Sequence, residues 1–400
     1  MTAQEQTGRG IGPEYLLAGR YRLRSKIGDG GMGAVWLARD TLLSRDVAVK
    51  QVTSTEGLDT ETAEEVRERT LREGRNAAKL THPHSIAMYD VAIESGEPWL
   101  VMEYFPARSL AQAMNLADTL PPLEVAQIGA QIAAALTEAH AAGIVHRDIK
   151  PGNILIADRG KSLGTVKISD FGIARAKSDV SDTQDEVITG TPAYFAPEVA
   201  RGDDPTEASD VFSLGSTLYT VIEGQPPFGI DSDAIALLHR VAKAEIYRPT
   251  KSGPLTDVLL QLLEPDPTRR PTMAQARDAL AAAATGGSGT IEQLIDAPVY
   301  SSEGAVPAWA HRTTQLADPH RRNRLTGSTI TGLPAVQQNT PLRNVPSPMD
   351  MFSWPPRIPT GPADASTRDK VVAWAPLAMT GMIAVIILAA LIVVILVFTV

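Results

Sequence analysis

Several short runs in this 400-residue chain hold residues whose types and spacing suit phosphate chemistry. The first is Gly28-Asp29-Gly30-Gly31-Met32-Gly33-Ala34-Val35, set between two runs of strand character. Glycine lets a backbone approach an anion closely and tolerates positive φ, so successive amides can face a phosphate. The same pattern also suits a tight hairpin. The stretch after it reads as a strand and not a helix, which speaks against a dinucleotide-binding fold. The second run, Val47-Ala48-Val49-Lys50, closes a β-branched stretch with a lysine. Pointed inward, that ammonium needs anionic company; pointed outward, it is an ordinary edge lysine. Further along come His146-Arg147-Asp148-Ile149-Lys150-Pro151-Gly152-Asn153, then Asp170-Phe171-Gly172, then Ala196-Pro197-Glu198. Taken singly, each acid is as well explained by capping a helix or a turn.

The elements that must position these residues fall into two groups. Strand character appears at 21–27, 34–38, 46–52, 86–93 and 99–104, with one charged helical stretch at 61–80 between them. Residues 110–281 read as mostly helix, with patterns at 125–142, 211–223, 233–244, 255–263 and 273–284, interrupted by a strand pair at 154–157 and 166–169. A small strand-rich lobe before a larger helical lobe predicts an α+β fold with a cleft between the two.

Composition narrows the classes. The chain has no cysteine, which excludes disulfides, thiolate metal sites and a cysteine nucleophile. Its net charge is −9. Residues 371–400 are uncharged and 282–370 carry eight basic and seven acidic residues, so the first 281 residues hold −10. That balance argues against nucleic acid as a partner. Residues 1–20 form a polar, Gly-rich tail without a secretory signal. Residues 282–370 are rich in Gly, Pro, Ser and Thr without a sustained period, which predicts a disordered juxtamembrane linker. Residues 371–400 are apolar enough for a transmembrane helix, since about 20 apolar residues span a bilayer. Arg368 and Lys370 precede that run, and positive residues stay inside, so the expectation is a cell-membrane protein with its body in the cytoplasm. With Val400 closing the span, no sensor domain is expected beyond it.

Taken together and in this order, the motifs resemble the eukaryotic-like (Hanks-type) serine/threonine protein kinases of bacteria, most of all those of actinobacteria. The resemblance covers residues 21–281 and implies the bilobal kinase fold, with ATP and Mg²⁺ (or Mn²⁺) as cofactors. It implies that Ile27, the glycine loop and Lys50 meet the nucleotide, and that Glu73 pairs with Lys50, with Glu68 as the alternative partner. It implies that Asp170 and Asn153 ligate the metal through oxygen. Asp148 would take or orient the substrate hydroxyl, and Lys150 would neutralise charge on the transferring group. Glu103, Tyr104 and Phe105 would form the hinge to adenine, with Met102 setting pocket depth and Val35, Ala48 and Leu155 packing on the purine.

Lys150 and Thr191 imply serine/threonine specificity for protein substrates. Arg147 implies a phosphate-binding partner for the activation loop, where Ser181, Thr183 and Thr189 are the candidate sites of autophosphorylation, in trans if two copies pair as a homodimer. Asp210 would brace the catalytic loop, and Arg270 would pair with Glu198. The competing readings are a nucleotide-binding pseudokinase scaffold at the membrane and a small-molecule kinase. Lys50, Asp148, Asn153 and Asp170 stand against the first; Glu198 and Arg270 stand against the second.

Overall fold

A computed structural model describes residues 11–30, 33–51, 60–171, 191–286, 290–299 and 307–310, all within one unit of the chain. The N-terminal lobe is a six-stranded antiparallel sheet. Its strands are β1 (Leu16–Leu17), β2 (Tyr21–Gly30), β3 (Gly33–Asp40), β4 (Arg45–Gln51), β5 (Met88–Glu94) and β6 (Glu97–Glu103), in the spatial order β1-β2-β3-β4-β6-β5. Alternation along β4 decides what the cleft receives. Val47 and Val49 are fully buried with Tyr21, Leu23, Trp99 and Val101 on one face of the sheet. Ala48 packs with Leu100 and Met102 on the other. Lys50, two residues after Ala48, shares the second face and is only 6% exposed.

Helix α1 (Thr60–Ala77) crosses the sheet on the cleft side. Gly74 is what lets it come close: a Cβ there would sit 2.8 Å from Val91 Cγ2 and 3.3 Å from Leu100 Cδ2. Glu73, the neighbouring residue, is carried toward the cleft by that contact.

The C-terminal lobe opens with β7 (Arg108–Ser109) and α2 (Leu110–Ala117), whose start is closed by a reciprocal capping box between Ser109 and Gln112. Helix α3 (Pro122–Ala141) is Ala-rich, and Ala126, Ala130, Ala133, Ala135 and Ala139 are fully buried. Small side chains along its length let α5 (Glu207–Glu223) and α8 (Met273–Thr285) pack against it. Between α3 and α5 lie β8 (Ile154–Ile156), β9 (Val166–Ile168) and α4 (Pro197–Ala200); β7, β8 and β9 make a second antiparallel sheet. Helices α6 (Ala234–Ala242), α7 (Thr256–Leu262) and α9 (Ile291–Asp296) complete the lobe.

The expected elements are present with ends shifted by a few residues, and five short ones (β1, β7, α2, α4 and α9) lie outside the expected patterns. Two boundaries need correction. In the stretch 1–20, expected as a tail, Leu16–Leu17 pairs with β2 and Leu17 is fully buried. The stretch expected to begin a linker at 282 instead continues α8 to Thr285, and residues 290–299 and 307–310 pack on the helical lobe, burying Val299 and Trp309 completely or nearly so. Ile291, Leu294 and Ile295, at i, i+3 and i+4, give this segment an apolar stripe too short to register as a period. Among the described residues no helix is long and apolar enough to cross a membrane. The expected span, 371–400, lies outside the described residues, as do the tail residues 1–10.

Candidate active site

The cleft between the lobes contains a cavity of about 470 Å³, within the range of small-molecule sites. Ile27, Gly28, Val35, Ala48, Met102 and Leu155 line it, together with Lys50, Asp170 and the hinge residues Glu103, Tyr104 and Phe105. Gly31 and Met32 lie outside the described residues, as does the Asp29 side chain, and Gly33 begins β3.

Lys50 Nζ donates to Asp170 Oδ1 at 2.6 Å. This differs from the expected Lys50–Glu73 pair: the Glu73 carboxylate Oε1 instead lies 3.9 Å from Arg147 Nη1. The difference is positional. Lys50 reaches from β4 to the residue just beyond β9, while α1 sets Glu73 beside the catalytic-loop arginine. Burial opposes ionisation of Asp170, but the charge and hydrogen bond of Lys50, with Lys150 beyond it, hold its carboxyl below the usual carboxylate value.

Asn153 ties the two acids together. Its Nδ2 donates to the Asp148 carbonyl at 2.7 Å and to Asp148 Oδ2 at 2.9 Å. Lys150 Nζ stands 2.8 Å from that same Oδ2. From the other side, Ser169 N donates to the Asn153 carbonyl at 2.9 Å, one residue before Asp170. With its amide nitrogen committed to Asp148, Asn153 keeps its side-chain oxygen as an acceptor, and Asp170, one residue after the Ser169 that binds the Asn153 carbonyl, supplies carboxylate oxygens. Such an oxygen pair suits a hard divalent cation.

Two non-glycine residues here, Arg147 and Asp170, have φ of 68°. That region costs of order 1–3 kcal/mol for such residues and needs support from around them. Asp210 supplies it for the first: Oδ2 accepts from His146 N at 2.7 Å and from His140 Nε2 at 2.8 Å, and Oδ1 accepts from Arg147 N at 2.9 Å. His146 donates from Nε2 to the Ser169 carbonyl at 2.9 Å and packs its ring 4.7 Å from that of Phe171.

Residues 21–280 match the family described as Protein kinase domain. The chain belongs to this family. The chain is 36% identical over 267 residues to serine/threonine-protein kinase PrkC of Bacillus subtilis (strain 168), covering 66% of this chain and 40% of the relative. It is 38% identical over 264 residues to serine/threonine-protein kinase PknB of Mycobacterium leprae (strain TN), covering 64% and 41%. To PknB of Mycolicibacterium smegmatis it is 35% identical over 319 residues, covering 77% and 48%. The chain thus matches less than half the length of these curated relatives. Among solved structures it resembles Rad53 residues 1–466 in complex with AMP-PNP, with a TM-score of 0.53 at 27% identity over 65% of this chain and 64% of that one.

The rest of the kinase site concerns support. Arg270 holds Glu198 bidentately, Nη1 to Oε1 at 2.6 Å and Nη2 to Oε2 at 2.7 Å, with both side chains buried. Thr191 begins the tight turn Pro192–Tyr194 that leads into α4. The candidate phosphorylation sites Ser181, Thr183 and Thr189 lie outside the described residues.

Several contributors were missed from the sequence. Ile86, Gln112, Arg159 and Ser169 also line the cavity. Lys167 on β9 donates to Glu103 Oε2 at 3.0 Å and to the Ser85 carbonyl at 3.1 Å, bracing the hinge from behind. The Glu103 amide donates to Ala87 O, which leaves the hinge backbone at Tyr104 and Phe105 for a purine. Thr217 Oγ1 donates to Ile149 O at 3.3 Å. That last contact was legible in principle, since Thr217 lies two helical turns after Asp210 on the same face.

Proposed function

We propose that the chain is a protein serine/threonine kinase that transfers the γ-phosphoryl group of Mg-ATP to protein hydroxyls. One observation carries this reading: the Lys50–Asp170 pair and the Asp148–Asn153–Lys150 group, from distant parts of the sequence, meet at the cleft through Ser169, which precedes Asp170 and donates to the Asn153 carbonyl. Serine/threonine preference rests on Lys150 and Thr191 and on the names of the PrkC and PknB relatives.

Each group has a task that its surroundings suit. Lys50 offers a buried positive charge to the phosphates, and Asp170 is its counter-ion until they arrive. Asn153 and Asp170 would hold Mg²⁺, which neutralises phosphate charge and aligns the triphosphate. Asp148, held by Asn153 and Lys150, accepts or orients the proton of the attacking hydroxyl. Lys150, 2.8 Å from it, stabilises negative charge as the phosphoryl group passes. Glu73, beside Arg147, is the second carboxylate that would pair with Lys50 once a metal ion takes Asp170.

Membrane attachment through 371–400, a cytoplasmic kinase body, pairing of copies and autophosphorylation at Ser181 or Thr183 belong to the same proposal, supported by the apolar run and by the loop hydroxyls. The deciding experiment is transfer of labelled phosphate from ATP to a generic basic protein and to the chain itself. The parent should label both, and Lys50→Met and Asp148→Asn should label neither. Equal labelling by Asp148→Asn would remove the assignment.

A further inference from the structure

In His82-Pro83-His84, the second histidine plays no part in phosphoryl transfer, yet it is only 5% exposed, at a junction in the helical lobe. Its Nδ1 lies 2.7 Å from the carbonyl of Val166 on β9, and its Nε2 lies 2.8 Å from the carbonyl of Ile295 on α9. Carbonyl oxygens only accept. An imidazole makes both hydrogen bonds only when both ring nitrogens carry hydrogen, as in the imidazolium form; the neutral ring makes one and sets a lone pair against the other oxygen.

The segment it touches is held elsewhere too. Gln131, fully buried, donates from Nε2 to the carbonyl of Ala297 at 2.6 Å and to that of Ile295 at 3.0 Å. Val299 N donates to Gly164 O at 2.9 Å, in the turn between β8 and β9. A Cβ on Gly164 would lie 2.5 Å from Val299 O, so the turn and the segment fit only because that side chain is absent. Trp309, 1% exposed, donates from Nε1 to Glu124 Oε2 at 3.1 Å. At the other end of the junction, Ile168 N donates to His84 O and Ile86 N to Ile168 O, both at 2.9 Å, and Asp170 stands two residues further on.

We propose that residues 290–299, with 307–310, are a strap that positions β9, and with it Asp170, and that His84 is the positioning residue that fastens strap and strand together when its ring carries both protons. Around the neighbouring His82 ring the ionisable groups are the His84 ring itself, Glu138 on α3, Lys167 on β9 and Asp296 on the strap.

The test is hydrogen exchange on the full chain without nucleotide, read at Val299 and Ile168 and corrected for intrinsic rates. Between about pH 6 and about pH 8, protection at Val299 should fall about tenfold in the parent as one charge-assisted hydrogen bond is lost. In His84→Gln, which cannot titrate and leaves His82 in place, the pH step should vanish. Val299→Asp should release the strap, lower protection at Ile168, and reduce kcat for phosphotransfer more than it alters KM for ATP. A parent whose protection is the same at both pH values, or a step that survives in His84→Gln, overturns the role of His84. A released strap with Ile168 protection and kcat unchanged overturns the positioning role. The exchange arms need no catalysis, so absence of phosphotransfer in every variant would count against the kinase assignment and leave the strap result standing.

Discussion

Lys50 and Asp170 face each other across the cleft, Nζ to Oδ1 at 2.6 Å, with the lysine side chain 7% exposed. The pair joins the two lobes at the place where phosphate and metal would meet. Lys50→Met should therefore abolish measurable phosphotransfer, a loss of at least about 100-fold. It should also destabilise the fold by roughly 2–3 kcal/mol, since it strands a carboxylate that is mostly buried. The Asp170 carboxyl is held below its ordinary value, so its contribution is present above the usual aspartate range and is lost as pH falls through the depressed value. Thermal unfolding against pH should show the gap between parent and variant narrowing on acidification, as the parent loses this contribution and protonation relieves the carboxylate stranded in the variant.

Asp210 accepts three donors from the catalytic loop and α3. An asparagine has one acceptor oxygen and cannot serve both backbone amides at once. Asp210→Asn should lower kcat by roughly 10–100-fold while KM for ATP stays nearly constant, because the loss is in holding Asp148 and not in nucleotide contact. Steady-state kinetics at varied ATP checks this; a change confined to KM would contradict it.

Arg270 and Glu198 are a buried, bidentate pair that takes no part in lining the cavity. Removing one partner leaves the other charge uncompensated, so Arg270→Ala should cost about 3–5 kcal/mol in denaturant unfolding. Arg270→Lys should recover only part of this, because an ammonium cannot form the two parallel hydrogen bonds. The double variant with Glu198→Gln should be less damaged than the two single losses added together.

Glu124 is 4% exposed and accepts from the Trp309 indole. Burial raises its carboxyl above the ordinary glutamate value, and the Trp309 hydrogen bond offsets part of that rise. A raised carboxyl favours the folded state fully below the unfolded value, and that advantage is lost as pH climbs through the folded one. Glu124→Gln keeps an acceptor without the charge. It should be the more stable protein at neutral pH, by on the order of 1 kcal/mol, and the gap should close on acidification. Urea midpoints near pH 7 and pH 4 (both approximate settings) would reveal a gap of the opposite sign if the reading is wrong.

Much of the site was legible because strand alternation and motif order are local properties. Val47 and Val49 against Ala48 and Lys50 already state which side of β4 faces the cleft. The acids of the catalytic loop and the metal-binding turn announce themselves by spacing. What could not be read was choice among partners. Glu73 and Asp170 are both plausible anions for Lys50, and the decision rests on where α1 settles, which depends on a close approach at Gly74. The strap escaped notice for another reason. Its anchors, Val299 and Trp309, are single apolar residues in a Gly- and Pro-rich stretch, and their partners Gly164 and Glu124 are more than a hundred residues away.

The Lys167 bridge between β9 and the hinge carries a mechanical meaning. Lys167 grips Glu103 at the hinge and sits three residues before Asp170, which follows the end of β9 at Ile168. One ammonium thereby ties the hinge carboxylate to the strand that leads into Asp170.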